Sequence, residues 1–387
     1  MKYTTNLEEI EKAVNVCLRC NRCHYSEWPK NEEICPIYAY DQTFTYSAGG
    51  LMYLAKALLR NLTDYTKELS DLIYTCSSCR GCDDLCVILR SVNPDMPLSD
   101  IIRLMKYEMV KRDLIPDKVK GTYQMIKEKG DIPNNGNGPD LIMPAKIKSD
   151  KADTVLYAGC IHTRTQRDIC QITLRVLEKI GRPMGLFTDS GCCGSTLFDH
   201  GFWGELPALV DVKMEKMKGF ENKTFIFVNP HCQEFISNRY EKIASKYESI
   251  NSQHISEIMA GALKDGKLKT KENGKVKITY HDPCMLGRGL GIFDSPREVL
   301  SLFKNVEFVE MKRNRENAFC CGSKAVGKYF SNCPEGTAEE RINEFEDTGA
   351  DLLITACPYC KEIFQKVLGK EKNRVKDLIE FVDEQTE

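Results

Sequence analysis

VKITYHDPC at 276–284, AFCCG at 318–322 and LLITACPYC at 352–360 decide how this chain is read. Between them, 35 residues separate Cys284 from Cys320, and another 35 separate Cys321 from Cys357. Five thiols therefore sit in three places. Two of those places directly follow apolar, β-branched runs (276–280 and 352–356) that read as buried strands. Adjacent cysteines point in different directions, so Cys320-Cys321 suits an extended group of several irons better than a single ion. Thiolates favour iron–sulfur clusters or zinc. Zinc stops at four ligands in protein sites, so five thiols in one constellation argue for iron.

Upstream the same spacing returns. TVLYA at 154–158 reads as a strand ending at Gly159-Cys160, and 165–180 reads as a helix stopped by Gly181. A short strand at 184–187 leads into Gly191-Cys192-Cys193-Gly194, and TFIFV at 224–228 leads into Asn229-Pro230-His231-Cys232. Here 31 residues separate Cys160 from Cys192, and 35 separate Cys193 from Asn229. The spacing marks an internal duplication, each copy a small α/β unit with a parallel sheet. The copies differ at one decisive position, because Asn229 stands where the second copy has Cys357. The first copy thus offers Cys160, Cys192, Cys193 and Cys232. In the second copy, Ser295 to Glu298 and Thr337 to Glu340 read as capping boxes.

The amino-terminal third carries two further sets. Cys17, Cys20 and Cys23 are followed eleven residues later by Cys35-Pro36, and Cys76, Cys79 and Cys82 are followed by Cys86. Closely spaced Cys-x-x-Cys turns let three thiolates reach one cubane, and in two-cluster ferredoxins the fourth ligand comes from the other set. This assigns Cys17, Cys20, Cys23 and Cys86 to one [4Fe–4S] cluster, and Cys35, Cys76, Cys79 and Cys82 to a second. The alternative is a pair of zinc sites, which rarely show this interleaved triple spacing. Leu51, Leu54, Ala55, Leu58, Leu59 and Leu62 form one helical stripe, and Ser99 reads as the N-cap of a helix through Ile101, Ile102, Met105 and Met109. Long helices around the clusters indicate an all-helical ferredoxin type.

Taken together, these motifs resemble the CCG-domain (cysteine-rich domain) iron–sulfur proteins. That family includes the B-type and D-type subunits of heterodisulfide reductase and the iron–sulfur subunits of glycolate and lactate dehydrogenases. His281-Asp282-Pro283-Cys284, followed by Gly287-Arg288-Gly289, also looks like the family's second repeat. The domain order resembles the D-type subunit. The resemblance implies an α + α/β fold: a helical two-cluster ferredoxin domain at 1–125, a linker at 126–150 with its turn-rich part at 130–139, a first CCG repeat at 151–270 and a second at 271–387. It further implies a non-cubane [4Fe–4S] cluster on Cys284, Cys320, Cys321, Cys357 and Cys360, which form the catalytic terminus. For the first repeat three readings stay open: a smaller or altered cluster, a non-cubane cluster with a substituted ligand such as His231, or a relic without metal. Asparagine is a poor ligand in a sulfur-rich site.

Two functions follow from the resemblance. One is a heterodisulfide-reductase-like oxidoreductase subunit that reduces a disulfide or oxidises thiols. The other is a non-catalytic electron-transfer subunit between a flavoprotein (a hydroxyacid or acyl-CoA dehydrogenase, or an electron-transfer flavoprotein) and a quinone or other acceptor. Both require a flavoprotein or membrane redox subunit as partner, and oxygen-sensitive clusters suit an anaerobic setting. The composition limits the rest. Of 387 residues, 42% are hydrophobic, which is enough for a sizeable core, and a net charge of −2 offers nothing to nucleic acid. Nineteen cysteines without an apolar leader read as reduced, ligating thiols in the cytoplasm. No window is long and apolar enough to span a membrane.

Other residues carry two readings each. Cys170 and Cys333 read as a buried and a loop thiol, or as extra ligands. His162, His231 and His281, beside expected ligands, are either structural or hydrogen-bond donors to cluster sulfur. Arg288 and Lys324 read as solvated charges or as holders of an anionic substrate. The glycines at 287, 289 and 291 lack the rest of a dinucleotide fingerprint and read as a turn behind Cys284.

Overall fold

The computed structural model describes residues 6–26, 32–92, 96–130, 145, 148–149, 151–187, 191–220, 222–325 and 333–387, with backbone only at 129, 164, 333 and 334. The amino-terminal part is helical. Ser47 caps the helix Ala48–Leu59 by accepting from the Gly50 amide at 3.0 Å, and Thr66 caps Lys67–Tyr74 by accepting from the Leu69 amide at 3.1 Å. Leu51, Ala55 and Leu58 face the core, with Leu54 and Leu59 at its flank. Leu62, expected in the same stripe, lies past the helix end and is 74% exposed.

The helix Leu98–Lys111 runs through the centre, with ten of its first eleven residues fully buried or nearly so. Ser99 is not its N-cap but its second residue. Asp83, just after Cys82, takes that role from outside: it accepts from the Ser99 amide at 2.8 Å and from the Ser99 hydroxyl at 2.7 Å. A helix end can be satisfied by a side chain distant in sequence, which a local pattern does not reveal. The helix Asp117–Lys129 reaches into the expected linker and ends on Gly130 in the left-handed region, at φ 74. Most of the linker beyond it lies outside the described residues.

The rest is built on two four-stranded parallel sheets of identical topology. β1 (Thr154–Tyr157), β2 (Gly185–Phe187), β3 (Thr224–Phe227) and β4 (Ser252–His254) run in the order β2-β1-β3-β4. β5 (Val276–His281), β6 (Val306–Phe308), β7 (Leu352–Thr355) and β8 (Val375–Asp377) run in the order β6-β5-β7-β8. Register pairs Tyr157 with Phe227, and His281 with Thr355. Parallel strands are covered on both faces and read as continuous apolar runs, and alternate residues here enter different cores. Val155, Tyr157, Phe225 and Phe227 pack with Leu51, Ile101 and Met105 of the amino-terminal helices. Leu156 and Ile226 face the other way, into a core that also takes Ile278, Tyr280 and Ile354 of the second sheet. Leu353 and Cys357 turn to a third core with Phe345 and Phe364. The first sheet is thus buried between the helical part and the second sheet.

Two glycines are required by close approach. Gly201, at φ 87, lies where a Cβ would meet the Lys106 and Tyr107 backbone at 2.5 Å. Gly287 faces the Phe293 ring, which a Cβ would meet at 2.4 Å. It lies in a single π-helical turn, Met285–Gly289. Such turns frequently mark functional sites.

Neither expected capping box forms. Ser295 is the second residue of the helix Asp294–Ser301, and its hydroxyl meets Ser256 at 2.7 Å. Thr337 lies a full turn inside Cys333–Asp347. Among the described residues, capping boxes form instead at His254 with Glu257 and at Asp377 with Glu380, each cap being the final residue of the last strand of its sheet.

Asp377 gives a pH dependence. Burial, with Glu380 beside it, pushes its carboxyl up to about 7. A carboxyl raised on folding binds its proton more tightly in the native state, so stability is lost as pH rises from about 4 towards 7. Asp377→Asn keeps the capping oxygen and removes the charge. Its melting temperature is expected to match the native protein near pH 4 and exceed it at pH 8, where the gain in stability is of the order of 4 kcal/mol. Equal melting temperatures at pH 8 would show that the charge is compensated.

Candidate metal centres

The two amino-terminal cysteine loops have the same backbone. Arg19 and Ser78 each stand before the middle cysteine of their set, and Asn21 and Arg80 each stand after it. All four are left-handed, at φ 56, 56, 61 and 67. Such conformations cost a non-glycine residue about 1 kcal/mol and collect at functional sites. Here they curl each loop so that its thiols converge. Cys17, Cys20, Cys23 and Cys86 line one cavity. Cys35, Cys76, Cys79 and Cys82 line the next, and Cys23 borders both. Burial, with Cys86, Cys17 and Cys20 close by, pushes the Cys23 thiol up to about 12. Burial likewise raises Cys35, Cys76 and Cys82. Crowded buried thiols of this kind favour a bound cation that takes their protons' place.

In the second repeat the ends of β5 and β7 and the loop at 318–325 bring five thiols together. The Cys360 and Cys321 sulfurs are 3.3 Å apart. Cys320 contacts Cys284, Cys321 and, from the amino-terminal part, Cys79. The Ser77 hydroxyl lies 3.7 Å from the Cys320 sulfur. Hydrogen bonds from Cys320, Cys360 and then His281 hold the Cys321 thiol well below its ordinary value. His281 has a defined orientation: Arg341 Nε donates to its Nδ1 at 3.0 Å, so the ring's proton sits on Nε2 and faces Cys321. His281, Cys321 and Cys360 offer ligand atoms within 4.8 Å of one another.

Arg288 is buried rather than solvated. Its guanidinium donates to the carbonyls of Cys79 at 2.9 Å and Ala318 at 2.7 Å. Its cation faces the thiols of Cys79, Cys284 and Cys320. The turn at 285–289 behind Cys284 therefore carries a positive charge to the place where both cysteine groups meet. The donor set, its burial and this compensating charge all fit a negatively charged iron–sulfur group.

The first repeat gathers Cys160, Cys192, Cys193 and Cys232, all buried. Cys192 contacts Cys160 and Cys193, and Cys193 contacts Cys232. Tyr157 stands three residues before Cys160, as His281 stands three before Cys284. Its hydroxyl lies among these thiols, buried and with no partner among the described residues. Asn229 and Cys357 begin equivalent helices, Pro230–Ile243 and Pro358–Leu368. Asn229 accepts from the His231 amide at 3.0 Å and so caps its helix, whereas Cys357 makes no capping bond. The asparagine oxygen is thereby occupied by the helix.

His231 lies not at the first site but at the second, with its ring beside Cys357. Tyr359, at the same motif position in the second repeat, lies near Cys160, Cys232 and Cys192 of the first. The two rings meet edge to face, with centroids 4.9 Å apart. Spacing alone did not indicate this crossing, although the shared motif position was a usable signal.

A buried chain of alternating charge joins the parts. Lys324 Nζ lies 2.7 Å from Asp199, which also accepts from Arg103 at 2.9 Å. Arg103 reaches Asp100 at 2.6 Å, and Asp100 accepts from Arg239 at 2.7 Å. Arg239 and Arg80 share Glu234, at 3.0 and 3.1 Å, and Arg80 faces Asp83 at 3.4 Å. Lys324, expected at the surface, is thus an interior link. His162 is buried with Nδ1 on the Ala158 carbonyl at 3.2 Å, and burial lowers it to about 4. Burial alone pushes Cys170 up to about 12, and no other thiol contributes. The Cys333 side chain lies outside the described residues.

The cysteine-rich domain family (CCG) matches residues 154–237 and 278–365. Over 98% of its length the chain is 27% identical to the D-type subunit of dihydromethanophenazine:CoB–CoM heterodisulfide reductase of Methanosarcina mazei, covering 96% of that protein. It is 28% identical over 75% of its length to EtfAB:quinone oxidoreductase of Syntrophomonas wolfei, covering 43% of it. It is 26% identical over 80% of its length to the B-type subunit of fumarate reductase (CoM/CoB) of Methanothermobacter marburgensis, covering 61%. A hypothetical protein from Helicobacter pylori of known crystal structure shares the fold, with a TM-score of 0.54 at 13% identity over 96% of this chain and 76% of that one. Among the described residues no helix is long and apolar enough to cross a membrane.

Proposed function

Since the chain carries two cysteine-rich CCG domains and is homologous to the D-type subunit of heterodisulfide reductase and to other iron–sulfur oxidoreductase subunits, we propose that it carries electrons from its amino-terminal cysteines to a centre in the second repeat, where a disulfide is reduced or thiols are oxidised. In this reading Cys17, Cys20, Cys23 and Cys86 hold one cubane [4Fe–4S] cluster, and Cys35, Cys76, Cys79 and Cys82 hold another. Cys284, Cys320, Cys321, Cys357 and Cys360 hold a non-cubane [4Fe–4S] cluster. When bound, these groups supply one-electron transfer. The observation that carries the reading is the contact of Cys79 with Cys320, which sets the amino-terminal thiols directly against the five-thiol group. Arg288 holds the two together through the Cys79 and Ala318 carbonyls, and His281 presents an N–H to Cys321.

For the first repeat the reading is a smaller or altered iron–sulfur group on Cys160, Cys192, Cys193 and Cys232. Its support is four gathered thiols with an unpartnered buried phenol among them. Domains at 1–125, 151–270 and 271–387 with a linker at 126–150 complete the proposal. The partner is a flavoprotein or membrane redox subunit, with the chain on the cytoplasmic side. A second reading, transfer between a flavoprotein and a quinone without chemistry on a disulfide, draws on the similarity to EtfAB:quinone oxidoreductase and on Asn229. Similarity along the full length of the D-type heterodisulfide reductase subunit favours the first.

Anaerobic purification of the full chain tests the proposal. Iron and acid-labile sulfide for at least three [4Fe–4S] clusters per chain are expected, with paramagnetic signals on reduction or oxidation. A colourless protein containing zinc would end it. Disulfide-dependent turnover with reduced viologen separates the first reading from the second.

A further inference from the structure

The two repeats exchange one side chain each. The closing motifs Asn229-Pro230-His231-Cys232 and Cys357-Pro358-Tyr359-Cys360 occupy the same place, after the third strand of each sheet and at the start of a helix. In both, the third residue crosses to the other repeat. Tyr359 enters the four-thiol group, and His231 enters the five-thiol group. His231 is 5% exposed, and its Nδ1 has no hydrogen-bond partner among the described residues. Its ring lies beside the Cys357 thiol and meets the Tyr359 ring edge to face, with centroids 4.9 Å apart. A buried imidazole with an unused nitrogen, aimed across a repeat boundary at a thiol, calls for an explanation.

We propose that His231 of the first repeat is a hydrogen-bond donor to the cluster thiolate of Cys357, so that the first repeat sets part of the electron affinity of the second-repeat centre. This deepens the proposed function and rests on a cluster being bound by the five thiols. The position suits the role. His281 already serves the same group from its own repeat, through Cys321, and His231 supplies a second N–H at Cys357. An N–H donor to a ligating sulfur withdraws electron density and favours the reduced state. His231 thus acts through Cys357 as a positioning and tuning residue. The crossing also explains how a repeat that lacks one of the five cysteines bears on the other centre.

The test uses the full chain, loaded anaerobically and titrated redox-potentiometrically with paramagnetic resonance detection. His231→Leu is expected to lower the midpoint potential of the second-repeat signal, with a reduced-to-oxidised ratio about fivefold lower at fixed poise. His231→Gln, which keeps an N–H donor, is expected to restore most of the shift, and the amino-terminal signals stay in place. A loaded His231→Leu protein with unchanged potential and line shape overturns the inference while leaving the proposed function standing. Absence of the second-repeat signal from the unsubstituted chain overturns the proposed function itself. Should the leucine variant not fold, nitrogen hyperfine spectra of 15N-histidine-labelled protein carry the test. Two histidine couplings are expected, one of them lost in His231→Gln, and a single coupling in the unsubstituted chain overturns the inference.

Discussion

Replacing Cys321 by serine in the full chain is expected to abolish viologen-linked turnover and to erase the paramagnetic signal of the second-repeat centre, with both amino-terminal signals retained. The size of the effect follows from the geometry. Cys321 lies between Cys320 and Cys360, 3.3 Å from the latter, and receives the His281 N–H. It thus has a thiol neighbour on either hand and an imidazole beside it. A serine oxygen is a harder and shorter donor than a thiolate, and the backbone around it is fixed by adjacent Cys320 and Gly322. Loss of an outer hydrogen-bond partner typically costs ten- to a hundredfold in metal affinity or activity, so loss of a direct ligand is expected to exceed about a hundredfold. Turnover at the native rate with the signal gone would place the chemistry outside the five-thiol group.

The largest stability effect is expected at Arg103. This side chain is 2% exposed and bonds Asp199, Asp100, the Ser99 hydroxyl and the Ser78 carbonyl. Arg103→Met fills much of the volume but leaves Asp199 with Lys324 alone and Asp100 with Arg239 alone, and strips the Ser78 carbonyl of its donor. Breaking a buried ion pair from one side typically costs about 3–5 kcal/mol. Thermal unfolding of the variant is expected to begin several degrees lower. The Ser78 carbonyl also lies between Cys76 and Cys79, so the cluster on that loop is expected to load less completely. A melting temperature within a degree of the native value, at full iron content, would show that the alternating chain is dispensable. Restoring neutrality with Asp199→Asn in the same molecule should recover part of the loss.

Much of this organisation is legible in the residues. Strands at 154–157, 224–227, 276–281 and 352–355 read out because each is an apolar run bounded by glycine, proline or cysteine. The duplication shows in the matching gaps between Cys193 and Asn229 and between Cys321 and Cys357. Contacts set by tertiary structure do not show. Ser99, Ser295 and Thr337 carry the local signature of a cap, yet Asp83 caps from sixteen residues away and the last two sit inside helices. Arg288 and Lys324 read as surface charges because nothing in a sequence window shows a carbonyl or carboxylate arriving from another part of the chain. Asp377-Leu-Ile-Glu380 follows the capping-box pattern, whereas His254 does not, since histidine is not among the favoured cap residues. The crossing of His231 and Tyr359 depends on how the two sheets stack, which no spacing encodes.

One position in each repeat shows how such a protein diverges from its own duplicate. The residue that opens the helix after the third strand either caps that helix or keeps a thiol free, and one side chain does not do both. Asn229 ties down a helix end, a bond worth about 1 kcal/mol in comparable proteins, and so keeps its half of the molecule well formed with fewer sulfurs. Cys357 leaves the matching helix uncapped and its thiol available. After duplication, the two copies thus settle on opposite answers at one position, a helix cap in the first and a free thiol in the second.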